Sequence, residues 1–177
     1  RFCLNHAASV RILSPSFQGM LAAHGVTEGK MTLIYDWVDT DLIRPLPRDN
    51  DFAREHGLHQ GFVAQYAGNI GLSQGLEHVL HAARLLAGRE GIRFLFVGEG
   101  TGRERLMAEA EQHRLANVRF LPFQPRARLP EVLATADVSL VVLQRGIATA
   151  SLPSKSFSIL ASGRPLIASA DEGSDLC

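Results

Sequence analysis

Lys155 stands where a cation is least expected. It opens a helix-like stretch, "SKSFSILAS", just after the turn at Pro153, with Ser154 and Ser156 on either side. The start of a helix already carries the positive end of the backbone dipole, so a lysine there is repelled by roughly 0.3–1 kcal/mol. A solvated surface lysine tolerates that penalty. An anion at the same place reverses it, because the dipole, the amides of residues 155–157, the two serine hydroxyls and the ammonium would all converge on one negative group. The chemistry in prospect is phosphate binding.

Three other loops carry residues of the same character. "GNIGLSQG" (68–75) has three glycines and leads into a helix expected to begin near Gln74 or Gly75, whose first amides face an anion or simply close a tight turn. It has neither the dinucleotide register nor the Gly-Lys-Ser/Thr end of a P-loop. "VGEG" (97–100) places Glu99 between glycines, as an acceptor for hydroxyls or as a solvated turn residue. In "FLPFQP" (120–125) two prolines stiffen a loop from which Phe123 either lies along a planar base or enters the core. The pairs His56/His59 and His78/His81 have HxxH spacing, but no third ligand lies nearby in sequence. Val79 and Leu80 face inward between the second pair, which predicts both imidazoles on the outer helix surface.

The elements that must hold these loops alternate regularly. "FVAQYAG" (62–68), "IRFLFVG" (92–98), "VRFL" (118–121), "VSLVVL" (138–143) and "PLIAS" (165–169) read as strands. Between them, "GLEHVLHAARLLAG" directs Leu76, Val79, Leu80, Ala83 and Leu86 to one side. "RERLMAEAEQHRL" does the same with Leu106, Met107, Ala110 and Leu115, its charges forming a solvated face. "RLPEVLATA" (128–136) and "SKSFSILAS" complete the helices. Strands apolar throughout, each followed by an amphipathic helix, predict an α/β fold with a doubly wound, Rossmann-like parallel sheet from about residue 58. Ligands of such sheets lie beyond the carboxyl ends of the strands, where all four loops emerge.

Upstream, "VRILSPS" reads as a short strand entering a helix, with Ser14 or Ser16 as cap and Pro15 in the first turn. Gly25 closes that helix, and "KMTLIYDWV" is a second strand. Polar residues and Pro45 and Pro47 then suggest a linker. The expected division is 1–41 as the end of one domain, 42–57 as linker and 58–177 as a second domain, truncated at its C-terminal end.

With 18 Lys and Arg against 18 Asp and Glu, the chain has no basic excess for general nucleic-acid binding. Hydrophobic residues make up 46%, an ordinary globular share, and no apolar run approaches the ~20 residues that span a bilayer. Two cysteines, Cys3 and Cys177, form no disulfide framework, which favours a reducing cytoplasm.

The ordered set "YAGNIGLSQGLEHVLHAARLL", "FLFVGEG", "LANVRFLPFQP", "LPEVLATADVSLVVL" and "PSKSFSILASGRPLIAS" resembles the donor-binding domain of family 4 (group 1) glycosyltransferases of the GT-B fold, in the bacterial polysaccharide-assembly branch with a "PSK…GRP" signature. The upstream stretch resembles the tail of the partner N-terminal domain and the interdomain linker. The resemblance implies one half of a GT-B enzyme that transfers a sugar, with retention, from a nucleotide diphosphate sugar (UDP-, GDP- or dTDP-linked) to an acceptor hydroxyl in polysaccharide or glycolipid assembly. It implies no tightly held metal and no cofactor. The diphosphate would sit against Gly71, Leu72 and the 154–157 turn with Ser154, Lys155 and Ser156, the base would meet the 98–100 and 121–124 loops with Gly98, Glu99 and Phe123, and Gly68 would also contact the donor.

The sequence departs from the family in four places. An Arg and a Lys common in the first loop are matched here by neutral Asn69 and Gln74, and two common glutamates by Ala150 and Ser158. Lys155 is therefore expected to supply the phosphate charge. Catalytic residues remain unassigned, since acceptor-orienting groups belong to the N-terminal domain, and the isolated chain is expected to turn over little. Acceptors of the branch are often lipid-linked, which implies a cytoplasmic protein working at the inner membrane face. Two alternatives stay open: a GT-B-type UDP-sugar epimerase, and a degenerate, non-catalytic interaction domain.

Overall fold

The computed structural model describes residues 2–146 and 152–177; the Ala150 position lies outside them. A short helix α1 (Phe2–His6) precedes β1 (Val10–Ile12), α2 (Phe17–Ala23) and β2 (Met31–Leu33). β1 and β2 form a small parallel sheet, Val10 opposite Met31. Ser16 precedes α2 but makes no side-chain cap. The Ser14 hydroxyl instead donates to the Asp175 carboxylate, so the expected cap gives way to a long-range hydrogen bond. Gly25 ends the helix at φ +87°, a conformation glycine adopts without strain.

Within the stretch read as linker, residues Asp51–Glu55 form a helix, α3, capped by Asn50, whose side chain accepts from the Ala53 amide. Phe52 and Ala53 are fully buried. Polar and proline residues on both sides masked a one-and-a-half-turn helix too short to show a period.

The main sheet contains all five expected strands: β3 (Phe62–Ala67), β4 (Ile92–Val97), β5 (Val118–Leu121), β6 (Val138–Val142) and β7 (Leu166–Ser169). They are parallel and run in the order β5-β4-β3-β6-β7, so the expectation of an α/β, doubly wound, Rossmann-like sheet is met. The order reverses between β3 and β6. Helices α4 (Glu77–Leu85) and α5 (Arg103–Gln112) cover one face; α6 (Leu129–Ala134) and α7 (Lys155–Ala161) lie on the other with α3.

Alternation along β4 shows how both faces are built. Phe94 and Phe96 point into the core beneath α4 and α5, with Phe96 stacked on Phe120 at 4.8 Å between centroids. Leu95 and Val97 point the other way, to Phe52, Leu58 and Val132. β6 is buried along its whole length, as a strand covered on both faces requires. Leu76, Val79, Leu80 and Ala83 are buried as expected, and Leu86 packs at the core's edge. Met107 departs from expectation. Leu106, Ala110 and Leu115 turn inward, but Met107 is exposed on the charged face of α5. Adjacent residues on a helix point about a quarter-turn apart, and Leu106 takes the inward position.

Candidate functional site

The reversal between β3 and β6 opens a crevice at their carboxyl ends, where such sheets bind ligands. The loop after β3 supplies Gly68 to that crevice and the helix after β6 supplies Lys155, 87 positions later in the chain. Lys155 is the first residue of α7, as expected. Its side chain runs over the sheet edge rather than outward. Nζ donates a 2.6 Å hydrogen bond to the Tyr66 hydroxyl and lies 3.8 Å from the centroid of that ring. Tyr66 belongs to the core on the α4 side and α7 packs on the opposite face, so the lysine bridges the two layers.

Gly68 leaves that crossing uncrowded. A Cβ built there would lie 3.1 Å from Lys155 Nζ, and φ is +140°. Tyr66 in turn donates to the Asn69 carbonyl at 2.7 Å, which orients its oxygen lone pairs toward the ammonium. Among the described residues no carboxylate lies within ion-pair distance of Lys155. Burial without a counter-charge lowers its pKa from 10.5 to about 8. The same burial pushes the Tyr66 hydroxyl well above its ordinary value, so it stays protonated. The arrangement is a half-buried cation held by a neutral partner and lacking an anion.

Two cavities meet at this lysine. One, of about 460 Å³, is bounded by Trp37, Asn69, Gln74, Leu143 and Ser154. The other, of about 330 Å³, is bounded by Phe123, Gln124, Arg126 and Val132. Gly68, Lys155 and Ser158 line both. The structure thus gathers Gly68, Asn69, Gln74, Phe123, Ser154, Lys155 and Ser158 around one crevice. A larger trough of about 650 Å³ lies under Ala82, Leu86, Leu140 and Ile167, but it is almost wholly apolar and flanks the sheet away from the loops, with little to fix a polar ligand.

The other expected residues line neither cavity. Leu72 is exposed in a short 3₁₀ turn, Leu72–Gln74, preceded by Gly71. The helix after this loop starts at Glu77 and not at Gln74 or Gly75, because Gly75 takes a left-handed conformation that breaks the two apart. Glu99 is exposed and lies 3.5 Å from Arg103, one turn on in α5. Ser156 is buried, its hydroxyl donating to the Pro153 carbonyl at 2.6 Å. The amides of Ser156 and Phe157 bond to Pro153 and Ser154 within the same turn. Contrary to the expectation of free groups at 155–157, this turn satisfies most of its own donors, and the ammonium is what it offers outward.

The glycines of the second loop have a packing role. The Ile70 amide bonds to Glu99 O and the Gly102 amide to Ile70 O, lacing the two loops together. Gly98 (φ +148°) and Gly100 (φ +152°) lie so close to the backbone of Gly68 and Ile70 that a Cβ at either would collide with a carbonyl. Tyr66, Trp37 and Arg126 went unremarked in the sequence. Only Tyr66 left a trace there, as a hydroxyl-bearing ring near the end of a mostly apolar strand. His78 and His81 are both exposed on α4, as expected.

Comparison with known proteins bears on this geometry. A protein of Escherichia coli (strain K12) named as a colanic acid biosynthesis glycosyl transferase, WcaI, is 44% identical over 114 residues, which are 64% of this chain and 28% of that protein. WbjE of Pseudomonas aeruginosa, named as a glycosyltransferase, is 29% identical over 147 residues, 82% of this chain and 36% of its own length. The crystal structure of Anabaena HepE in complex with UDP and glucose shares the fold, with a TM-score of 0.73 at 21% identity; the match covers 94% of this chain and 45% of that one. The chain thus spans less than half of each of these proteins. Residues 48–175, far more than half of the chain, match the model described as glycosyl transferases group 1, and this protein belongs to that family.

Proposed function

We propose that the chain is the nucleotide-sugar-binding part of a glycosyltransferase, with the diphosphate of the donor seated on Lys155. The observation that carries this is a half-buried ammonium that faces a crevice and has no carboxylate partner among the described residues. A buried charge left unpaired costs free energy unless a ligand supplies the counter-charge. The names of WcaI and WbjE support sugar transfer, and the UDP held by HepE supports a nucleoside diphosphate.

In this reading the sugar leaves the diphosphate for an acceptor hydroxyl, with retention, in polysaccharide or glycolipid assembly. Lys155 stabilises the charge that develops on the departing diphosphate. Gly68 leaves the space that lets the ammonium reach its position, and Tyr66 holds it from behind without neutralising it. Asn69 and Gln74 add no charge of their own, so Lys155 supplies the counter-charge at the meeting point of the two cavities, with Arg126 on the wall of the Phe123 cavity, and no tightly held metal or cofactor is needed. Residues 1–41 would close the edge of a preceding domain that presents the acceptor, with 42–57 as linker and 58–177 as the donor-binding domain. A lipid-linked acceptor would bring the full protein to the inner membrane face. Among the described residues no helix is long and apolar enough to cross a membrane.

Calorimetric titration with UDP, GDP and dTDP, with and without magnesium, tests the reading. One nucleotide should bind at millimolar concentration or tighter, independently of magnesium, and about ten-fold more weakly to Lys155→Ala. Equal binding by wild type and variant would remove Lys155 from the site. Failure of all three nucleotides to bind would overturn the donor-site reading.

A further inference from the structure

Lys155 divides its crevice into two unlike compartments, and a nucleotide sugar is likewise divided at its phosphates, with base and ribose on one side and a hexose on the other. The Phe123 compartment is the more apolar and offers an exposed ring, which suits a planar base. The opposite compartment combines the carboxamides of Asn69 and Gln74 and the Ser154 hydroxyl with one large aromatic surface, Trp37. A pyranose has the matching character. Its rim carries hydroxyls that exchange hydrogen bonds, and one face presents C–H groups that pack on an aromatic ring.

Trp37 is held ready for such a partner. The Arg11 guanidinium lies 5.3 Å from the centre of the indole. Arg11 is itself tied by hydrogen bonds to the carbonyls of Ile34 (3.0 Å) and Tyr35 (3.1 Å) and by a 2.7 Å contact to the Asp36 carboxylate. Trp37 nevertheless remains 78% exposed as a residue. A large apolar ring, oriented by a fixed cation and left open beside a polar cavity, is an unfilled contact surface. We infer that Trp37, contributed by the segment after β2 rather than by the main sheet, is the surface on which the donor's hexose packs, and that it makes binding selective for the sugar-bearing nucleotide over the bare diphosphate. The assignment rests on the donor-site reading above.

The experiment compares UDP with UDP-glucose and UDP-N-acetylglucosamine, and GDP with GDP-mannose, by calorimetry on wild type, Trp37→Ala and Trp37→Phe. The ring is exposed, so neither substitution should disturb folding. Wild type should bind one nucleotide sugar more tightly than its parent diphosphate. Trp37→Ala should remove that preference, weakening the nucleotide sugar about ten-fold while the diphosphate changes less than about two-fold, and Trp37→Phe should keep part of it. The chain has a single tryptophan, so its fluorescence reports this ring alone. Emission should change with the nucleotide sugar and hardly at all with the diphosphate. A preference that survives Trp37→Ala, an equal loss for both ligands, or the same emission change with both would overturn the assignment while leaving the donor site standing. Absence of any nucleotide binding to wild type would remove the donor-site reading and this assignment together.

Discussion

Two cations sit at opposite ends of β6, and their surroundings differ in kind. At the amino end, Arg48 lies 2.8 Å from the carboxylate of Asp137, the residue just before the strand, and also donates to the carbonyls of His59 and Gly61. Asp137 in turn accepts from the Val63 amide at 2.7 Å. Every strong interaction there is made within the chain, and the pair pins the residues before β3 to the start of β6. At the carboxyl end, Lys155 has one neutral hydroxyl and the ring that bears it. The saturated cation fastens the fold. The unsaturated one is kept at a cost, which is what the proposed phosphate at Lys155 would offset.

The sharpest way to break this contrast is Asp137→Ala. It strands a mostly buried guanidinium and leaves the Val63 amide without its acceptor, so stability to urea should fall by about 3 kcal/mol. Nucleotide affinity of the folded fraction should not change. A fall in affinity without loss of stability would show that the two ends are not separate in function.

Lys155→Met should give the mirror image. Nucleotide binding weakens about ten-fold or more, while stability at neutral pH rises by about 1 kcal/mol because a poorly solvated charge has been removed. Urea denaturation and calorimetry on the same preparation report both. A variant that loses stability would place Lys155 with Arg48 among the structural cations.

Acidity sharpens the same point. The folded pKa of Lys155, about 8, lies below the ordinary value of 10.5. The unfolded chain therefore holds more protons between these values, and the lysine's contribution to stability rises with pH across that window. Ligand affinity runs the other way. Nucleotide diphosphate should bind well below pH 8 and weaken above it, by up to about ten-fold per unit, as the ammonium is lost. Wild type should show this slope in titrations from pH 7 to 9.5, and Lys155→Met should not.

The smallest effect belongs to Tyr66→Phe. It removes the hydroxyl between the ammonium and the Asn69 carbonyl but keeps the ring, so stability should fall by about 1 kcal/mol and affinity about three-fold. A loss as large as that of Lys155→Met would mean that the hydroxyl itself meets the ligand.

The five strands were legible because a parallel sheet buries both faces, and short runs dominated by apolar residues, such as "VSLVV" with its one serine, have few other uses. The helices between them showed a 3.6-residue period wherever they exceeded two turns. Helix α3 was hidden because Asp51–Glu55 is too short to repeat and lies between prolines and polar residues. Lys155 stood out through local chemistry alone, a cation at a helix start. Its environment did not, since Tyr66 is 89 residues away and reads in sequence as one more aromatic of a core strand. The glycines of "VGEG" looked ligand-directed for the same reason. A glycine required by backbone packing and one required by a phosphate are the same letter.

The sequence by itself determined the kinds of element and their succession, because strand and helix periods are written by neighbouring residues. It also determined that the loops at one sheet edge carry glycines, an aromatic and a lysine. The tertiary structure alone decided which of these meet. The order β5-β4-β3-β6-β7 puts the loops after β3 and β6 side by side, lets Lys155 cross Gly68 to Tyr66 on the other face, and brings Trp37 from outside the main sheet to the same crevice. Such meetings depend on which strands become neighbours, and that is settled by packing the whole chain at once.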